Sequence, residues 1–156
     1  MKSPNAKSKV QVWIYRRGAQ GIQVLFLKLI DERGGFWQPV TGGVESGEGL
    51  LEAARREAFE ETHLSFKGAP LPLEYSIRYP SRWGGEVEEV AFILEADPSA
   101  EVVWDSSEHV GFSWVDVGAP EWTKWVDLLR YPSVQRGLEK VVETLRANQV
   151  GVENQP

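Results

Sequence analysis

Three acidic residues, Glu57, Glu60 and Glu61, follow one another at a spacing that suits metal binding. On an α-helix, positions i, i+3 and i+4 share one face, so the three carboxylates would project together. Like charges at this spacing destabilise a helix by roughly 0.2–0.5 kcal/mol per pair. A divalent cation reverses that repulsion, because carboxylate oxygens are the ligands that hard cations prefer. The spacing therefore indicates a cation site, and a solvated acidic face is the alternative.

Two neighbouring features favour the cation site. The helix predicted over residues 48–62 carries its apolar residues on an arc beside the acidic arc, so the acids border the core. These apolar residues are Leu50, Leu51, Ala54 and Ala58. Just before the helix, Thr41 is followed by Gly42 and Gly43. Because glycine has no Cβ, the backbone of this turn can approach a ligand closely and place a carbonyl within reach of the same ion.

The charged residues also match a family pattern. From Gly42 the chain reads Gly, five residues, Glu48, seven residues, Arg56-Glu57, two residues, Glu60-Glu61, one residue, His63, Leu64. This order resembles the Nudix box, G-x5-E-x7-R-E-U-x-E-E-x-G-U, where U is apolar. All six glycine or charged positions up to Glu61 agree, and the second glycine of the pattern is His63 here. Histidine tolerates the positive φ of a helix end better than most residues, so we expect a local cost only.

The resemblance implies hydrolysis of a nucleoside diphosphate linked to another group, with Mg²⁺ or Mn²⁺ bound on the box helix. It also implies a fold of the α/β (α+β) class, a mixed, curved sheet between helices. Carried over residue by residue, the metal ligands are Glu57, Glu60 and Glu61 with the backbone carbonyl of Thr41 or Gly42. Arg56 would orient Glu57, and Glu48 would brace Arg56 or the loop.

In many relatives a further carboxylate outside the box acts as general base or metal ligand. Glu108 is the candidate, because it precedes a strand and adjoins His109, a side chain that can carry a proton near neutral pH. An exposed loop charge is the alternative for Glu108. The expected catalytic residues are therefore Glu48, Arg56, Glu57, Glu60, Glu61 and Glu108, with Glu108 also a candidate metal ligand. Glu86, Glu88 and Glu89 are weaker candidates, and we expect most of them to be solvated.

Outside the box, a looser likeness points to one subgroup. FWQPVTGGVESGE, EVEEVAFILEAD and SEHVGFSWVD resemble segments of bacterial dihydroneopterin triphosphate pyrophosphohydrolases. The resemblance implies Mg²⁺-dependent cleavage of a diphosphate bond in a small-molecule triphosphate, with dihydroneopterin triphosphate as the first candidate. The alternative is a nucleotide substrate, either a nucleoside triphosphate, a dinucleoside polyphosphate or a nucleoside diphosphate sugar.

A flat pterin or purine ring needs an aromatic surface, and a triphosphate needs cations. The candidates are Trp37, Tyr79 and Trp83 for stacking, Gln38 for a ring edge, and Arg78 and Arg82 for phosphate. The alternatives are a hydrophobic plug for Trp37 and surface positions for the two arginines. Four other tryptophans are expected to fill core or an interface, namely Trp104, Trp114, Trp122 and Trp125.

Two other classes of protein are disfavoured by the residues present. A Nudix-like binding module would have lost the acids, whereas every acid of the box is present here. A zinc hydrolase needs clustered histidine or cysteine ligands, and the chain has no cysteine and two isolated histidines.

Hydrophobic periodicity predicts the elements that must position these residues. Residues 10–14 and 22–30 flank the turn sequence RRGAQG and indicate a hairpin, and further strands are predicted at 73–79, 87–96 and 112–117. A C-terminal helix is predicted after Pro132, with Ser133 as its N-cap. Its apolar face would contain Val134, Leu138, Val141, Val142 and Leu145. A mixed sheet between at least two helices follows.

The chain as a whole fits one domain. Of its 156 residues, 42% are hydrophobic, and we expect a single domain over 9–147 between disordered tails at 1–8 and 148–156. The net charge of −6 provides no broad cationic surface for a nucleic acid polymer. Without a long apolar run or a signal-peptide core, we expect a cytoplasmic protein with no membrane partner. The expected partner is a small-molecule diphosphate or triphosphate, and exposed aromatic side chains would support a homodimer.

Overall fold

Seven strands form one sheet in the part of the chain that the structure describes. The structure is a computed structural model, and it describes residues 7–19, 21–82 and 84–153. The strands are β1 Lys7–Gly18, β2 Gly21–Leu29, β3 Trp37–Gln38, β4 Val40–Gly43, β5 Leu71–Pro80, β6 Glu86–Glu95 and β7 His109–Asp116. Alternating buried and exposed side chains along β5 show the period of two that a half-buried strand requires.

Strand β1 is the centre of the sheet. On one edge it pairs antiparallel with β2 and β4, and on the other edge it pairs parallel with β6. The sheet order is β3-β2-β1-β6-β5, with β7 paired to β2. Lys9 of β1 lies opposite Gly43 in one pairing and opposite Glu89 in the other. The loop after β4 and the middle of β6 therefore come close together on either side of β1.

Helices cover both faces of the sheet. Helix α1, Leu50–Thr62, packs on the face that carries Val10, Val12 and Ile14 of β1. Helix α2, Pro132–Glu153, packs on the opposite face over Trp13 and Tyr15. Neighbouring residues of β1 thus enter different cores, as the alternation of strand side chains requires. This arrangement confirms the predicted mixed, curved sheet between helices.

The predicted core role of the four later tryptophans is also confirmed. Trp104 and Trp114 pack against the cluster under α1, and Trp122 and Trp125 pack against the cluster under α2. The last two lie in a 3-10 helix, Pro120–Leu128, and a second 3-10 helix spans Asp31–Arg33. Among the residues that the structure describes, no helix is long and apolar enough to cross a membrane.

The chain ends differ from the predicted boundaries. Strand β1 begins at Lys7, so Lys7 and Ser8 lie in the sheet and not in a tail. Helix α2 continues to Glu153, beyond the predicted end of the domain at residue 147. The other residues assigned to tails, 1–6 and 154–156, lie outside the described part of the chain.

The helix ends and one buried helix face also differ from the predictions. Helix α1 starts at Leu50 and not at Glu48. Leu51 is 49% exposed and not part of the buried face, which is formed by Ala53, Ala54 and Ala58. Helix α2 starts at Pro132, so Ser133 lies within its first turn and is not the N-cap. Proline is favoured at the first helical position because its missing N–H would have no partner there. The predicted apolar face of α2 is confirmed.

Candidate metal and diphosphate site

Strand β4 meets helix α1 at Gly42. Gly42 lies opposite Val10 of β1, and this pairing holds the β4 backbone in the sheet. A Cβ added at Gly42 would overlap the carboxylate of Glu57. Only glycine therefore allows the backbone of β4 to lie this close to the acidic face of the helix.

Arg56 ties the loop, the start of α1 and two acidic residues together. Its Nε and Nη2 donate to the Glu48 carboxylate at 2.7 and 2.9 Å, and Nη2 also donates to the Gly43 carbonyl at 2.8 Å. Its Nη1 donates to Glu57 at 2.9 Å and to Glu60 at 3.2 Å. A planar guanidinium with five donors suits such a set of acceptors, whereas an ammonium group does not. The contacts are those expected if Arg56 orients Glu57.

Glu48 is held ionised by the same contacts. The hydrogen bonds from Arg56, followed by the bond from the backbone N–H of Glu45, lower the pKa of Glu48. The bonds to Glu48 in turn raise the pKa of Arg56 above its usual range. Glu48 contacts both the arginine and the loop, so its position agrees with the predicted bracing role.

The two acids of helix α1 that accept from Arg56 differ in burial. The Glu57 side chain is 14% exposed, whereas that of Glu60 is 56% exposed at the rim. Burial raises the pKa of Glu57, and the hydrogen bond and charge of Arg56 act against that rise. The positive charge of Arg56 therefore favours the charged form of Glu57.

Glu61 has a buried carboxylate oxygen without a hydrogen-bond partner. It is 8% exposed, and its buried Oε2 has no hydrogen-bond partner. Burial, and then the charges of Glu57, Glu108 and Glu60, raise the pKa of Glu61 to about 9. A buried polar atom left without a partner destabilises a fold, so this oxygen marks a position where a cation would be favourable.

Glu108 lies near the box acids, as its influence on the pKa values of Glu57 and Glu61 shows. Its side chain is paired with Arg33 at 3.5 Å, and its carbonyl accepts from Ile30 just after β2. The neighbouring His109 is buried, and neither of its ring nitrogens has a hydrogen-bond partner. Burial lowers the pKa of His109, so its ring is neutral at pH 7.

Arg56 already binds two of the carboxylates that a cation would need, those of Glu57 and Glu60. In the described part of the chain, no three acidic or histidine side chains converge as they stand on a point where one metal ion would bind. Arg56 Nη1 holds both Glu57 and Glu60, so a cation would have to compete with this guanidinium for the two carboxylates.

An open cavity of about 1160 Å³ adjoins this loop. Ligand pockets commonly measure about 300–1000 Å³, so a nucleotide-sized molecule fits. Its wall is formed by parts of β1, β5 and β6, the loop after β4 and the start of α2. The lining residues include Lys7, Lys9, Gln38, Thr41, Gly43, Glu45, Tyr79, Arg82, Glu89 and Tyr131.

The residues predicted to bind substrate fall into two groups. Gln38, Tyr79 and Arg82 line the cavity together with Thr41. Trp37 instead packs edge to face against Trp125, with ring centroids 4.9 Å apart, in the cluster under α2. That contact favours the alternative of a hydrophobic plug for Trp37. Its neighbour Gln38 faces the ligand space.

Two predicted substrate residues remain, Arg78 and Trp83. Arg78 also lines the cavity, and it donates to Glu86 at 3.1 Å and to Glu88 at 2.9 Å. These two ion pairs already neutralise its guanidinium, so Arg78 would have to exchange them to bind phosphate. Trp83 lies outside the described residues.

Sequence reasoning missed three residues of the cavity region. Gln11 and Tyr131 were not singled out, and Glu89 was only a weaker candidate in a group of three acids, most of which were expected to be solvated. Glu89 is instead 6% exposed and accepts hydrogen bonds from Gln11 and Tyr79. The signal was present in the strand period, because Glu89 alternates with Val87 and Ala91, both of which are buried.

The sequence pattern of the NUDIX domain matches residues 7–135, which covers most of the chain. The chain belongs to the Nudix family. The box resemblance is thereby confirmed.

Two curated relatives of this Nudix chain are each 34% identical to it. One is the octanoyltransferase of Myxococcus xanthus, matched over 116 residues, which are 74% of this chain and 32% of that protein. The other is the RNA pyrophosphohydrolase of Pelagibacter ubique, matched over 118 residues, which are 68% of each protein. The chain thus spans about a third of the length of the Myxococcus relative.

Solved structures reproduce the Nudix fold. A protein described as a NUDIX hydrolase from Listeria monocytogenes superposes with a TM-score of 0.73 at 26% identity, covering 90% of this chain and 94% of the other. The Ap4A hydrolase of C. elegans gives a TM-score of 0.72 at 22% identity, with coverages of 90% and 98%. The dihydroneopterin triphosphate pyrophosphohydrolase of E. coli gives 0.66 at 24% identity, with coverages of 88% and 95%. The last two show a common fold alone.

The departure from the Nudix box lies at the end of α1. His63 adopts φ 54° and ψ 24°, the left-handed conformation, and its N–H donates to the Phe59 carbonyl at 2.8 Å. This conformation costs about 1–2 kcal/mol for a residue with a Cβ. The ring packs against Phe59 with centroids 5.2 Å apart. The predicted positive φ at His63 is confirmed.

His63→Gly is expected to raise the melting temperature by about 2–4 °C, because glycine adopts the left-handed conformation without strain. Thermal unfolding followed by circular dichroism measures the change. His63→Ala is the matched control, since it removes the ring and keeps the strained Cβ. A His63→Gly protein no more stable than His63→Ala would contradict the strain argument.

Proposed function

We propose that this chain is a divalent-metal-dependent Nudix pyrophosphohydrolase that cleaves a diphosphate bond in a small-molecule triphosphate. The observation that carries the proposal is the buried Oε2 of Glu61. This oxygen has no hydrogen-bond partner, and three other carboxylates lie nearby. Burial beside other acids favours the neutral form of Glu61, and a bound cation would favour its ionised form and give the buried oxygen a partner. In the Nudix pattern, a cation at this position takes part in hydrolysis of the diphosphate.

The donor atoms suit Mg²⁺ or Mn²⁺. The proposed ligands are the carboxylates of Glu57, Glu60, Glu61 and Glu108 and the backbone carbonyl of Thr41 or Gly42. These are all oxygens, which these hard cations prefer, and Mg²⁺ also keeps several waters and takes phosphate oxygens. The contact between Gly42 and Glu57 supports a shared site for loop and helix.

When bound, the cation would neutralise the diphosphate and lower the pKa of an attacking water. The residues of the chain supply the positioning. Arg56 fixes Glu57, and Glu48 fixes Arg56 through two parallel hydrogen bonds. Glu108 is one-third exposed and is the residue we propose as a further metal ligand or as the base that takes a proton from the water.

The cavity supports a triphosphate as the substrate. Lys7, Lys9 and Arg82 line it and provide positive charge for a phosphate tail, while Tyr79 and Tyr131 provide aromatic rings. Dihydroneopterin triphosphate is our first candidate, in keeping with the likeness to pyrophosphohydrolases that act on it.

A nucleotide is the second candidate. The Pelagibacter relative is an RNA pyrophosphohydrolase, and the C. elegans structure is an Ap4A hydrolase. The volume of the cavity accommodates a nucleoside triphosphate or one end of a dinucleoside polyphosphate.

A substrate panel tests the proposal. The purified protein would be incubated with dihydroneopterin triphosphate, nucleoside triphosphates, Ap4A, nucleoside diphosphate sugars and a 5′-triphosphorylated RNA. Release of phosphate and pyrophosphate would be measured with Mg²⁺, with Mn²⁺ and with EDTA. We expect cleavage that requires the metal and is fastest with dihydroneopterin triphosphate. Faster cleavage of a nucleotide would select the second candidate, and no cleavage of any compound would refute the proposed activity.

Gly42→Ala is expected to lower the metal-dependent rate about tenfold, because the new methyl group displaces the carboxylate of Glu57. The rate would be measured at saturating Mg²⁺ with the best substrate of the panel. Gly68→Ala is the matched control, since a Cβ at Gly68 would meet nothing within 4 Å and Gly68 does not line the cavity. Equal rates for the two variants would contradict the proposed contact.

A further inference from the structure

A one-way chain of hydrogen bonds ends on Glu89 at the wall of the cavity. Trp13 Nε1 donates to Gln11 Oε1 at 2.6 Å, and Gln11 Nε2 donates to Glu89 Oε2 at 2.8 Å. From the other side, the Tyr79 hydroxyl donates to Glu89 Oε1 at 3.0 Å. Each carboxylate oxygen of Glu89 thus accepts one bond from a named neighbour.

The direction of this chain is fixed by chemistry. An indole N–H can only donate, so Trp13 forces the oxygen of the Gln11 amide to face it. The amide NH₂ of Gln11 must then face Glu89. Burial, followed by the charge of Glu89, raises the pKa of Tyr79, so its hydroxyl stays protonated and able to donate. Both Gln11 and Tyr79 therefore donate hydrogen bonds to Glu89, and Glu89 accepts them.

The surrounding fold maintains this arrangement. Gly137 of α2 lies against it, because an added Cβ would come within 2.9 Å of Gln11 Oε1 and 3.3 Å of Trp13. A glycine inside a helix is unfavourable by about 1 kcal/mol relative to alanine, so the close approach has a structural use. The helix is thereby seated directly over the amide of Gln11.

Glu89 retains acceptor capacity toward the cavity. A carboxylate offers about four acceptor positions, and the two bonds from Gln11 and Tyr79 use two of them. Glu89 is 94% buried and lines the same cavity as Lys9, proposed for the phosphate tail, and Thr41, proposed as a metal ligand. A ligand can therefore contact Glu89 with one end and the loop after β4 with the other.

We propose that Glu89 selects the ring of the substrate by accepting two adjacent N–H donors, as in the 2-amino-4-oxopyrimidine edge that guanine and pterin rings share. This inference rests on the proposed function, since it names the substrate class of the same site. A carboxylate and two parallel N–H donors form a paired contact of good geometry. The adenine edge places a ring-nitrogen lone pair beside its amino group, so it would set an acceptor against the carboxylate.

The wild-type protein tests this inference without any substitution. GTP and ITP differ by the 2-amino group alone, and ATP presents the mismatched edge. We expect kcat/KM to be about 10- to 100-fold higher for GTP than for ITP, because ITP loses one hydrogen bond to a buried charge. Dihydroneopterin triphosphate carries the same edge on a different ring, so its rate relative to GTP identifies which source of this edge the protein uses. Equal kcat/KM values for GTP and ITP would overturn the proposal.

A pair of variants separates ring selection from structural effects. Glu89→Gln is expected to bring kcat/KM for GTP down to the ITP value, mainly through KM, with ITP itself nearly unchanged. Glu88→Gln is the matched control, because Glu88 lies next in the strand and bonds Arg78 outside this chain of hydrogen bonds. A GTP preference that survives Glu89→Gln would refute the assignment.

A binding measurement keeps this test independent of catalysis. Calorimetric titration with GDP and IDP in EDTA should show GDP binding about 10-fold or more tightly to the wild-type protein and equally to Glu89→Gln. This result would support the role of Glu89 even if the substrate panel showed no hydrolysis, in which case the proposed function alone fails. Equal affinities of the wild-type protein for GDP and IDP would sink the inference while leaving metal-dependent hydrolysis untouched.

Discussion

Glu60→Gln and Glu61→Gln are each expected to lower kcat by about 1000-fold with Mg²⁺ while the fold is kept. An amide preserves the shape of the side chain and removes the negative charge that would hold the cation. The Glu61 substitution should not destabilise the metal-free protein, because burial and neighbouring acids already hold that carboxyl in its neutral form, with a pKa of about 9. The effect is therefore expected in catalysis and in metal binding, and not in folding.

Two measurements check this prediction. Initial rates give kcat, and thermal unfolding with and without Mg²⁺ gives the stabilisation that bound metal provides. The wild-type melting temperature should rise with Mg²⁺, and that of Glu61→Gln should stay constant. Glu52→Gln is the control, since Glu52 is an exposed acid in the first turn of the same helix. A turnover for Glu60→Gln or Glu61→Gln near that of Glu52→Gln would remove the case for the metal site.

Arg56→Ala is expected to reduce kcat by about 100-fold and to lower the melting temperature by about 5 °C or more. The variant leaves the half-buried carboxylates of Glu48 and Glu57 without their shared cation, and it removes the bond to the Gly43 carbonyl. Glu57 then repels its acidic neighbours and turns away from the position that Arg56 imposes. Rates at saturating Mg²⁺ and thermal unfolding measure the two effects.

The chain contains a close control for this substitution. Arg55 precedes Arg56 in the same helix, is exposed, and makes one hydrogen bond of 3.2 Å to the Gly68 carbonyl. Arg55→Ala should therefore be nearly neutral in both measurements. Arg56→Lys should be intermediate, because a single ammonium group cannot replace a planar guanidinium that donates to acceptors on four residues. Similar behaviour of Arg55→Ala and Arg56→Ala would show that general helix charge, and not the ion-pair cluster, is responsible.

The box region could be predicted from the sequence because its contacts are local. Arg56, Glu57, Glu60 and Glu61 lie on one helix, where the spacing alone determines which side chains are neighbours. Glu48 lies just before that helix, so its contact with Arg56 also follows from a short stretch of chain. The class of fold followed for a related reason, since alternation and helical periodicity define the elements.

The cavity could not be predicted, because it depends on which strands lie side by side. Gln11 and Glu89 are 78 residues apart, and the parallel register of β1 with β6 brings them together. Periodicity shows which face of a strand is buried and does not reveal its partner or register. Trp37 illustrates the same limit, since its packing depends on where the 3-10 helix carrying Trp125 lies.

The central position of β1 has a consequence for synthesis on the ribosome. Lys9 pairs with Glu89, so the N-terminal strand leaves the ribosome roughly 80 residues before its parallel partner. Until then β1 can bond β2 and β4 on one edge, while its other edge remains open to chance pairing with nascent chains nearby. Such distant pairing forms late, because a long loop must close first. The nascent chain would therefore benefit from a chaperone that shields this edge until β6 emerges.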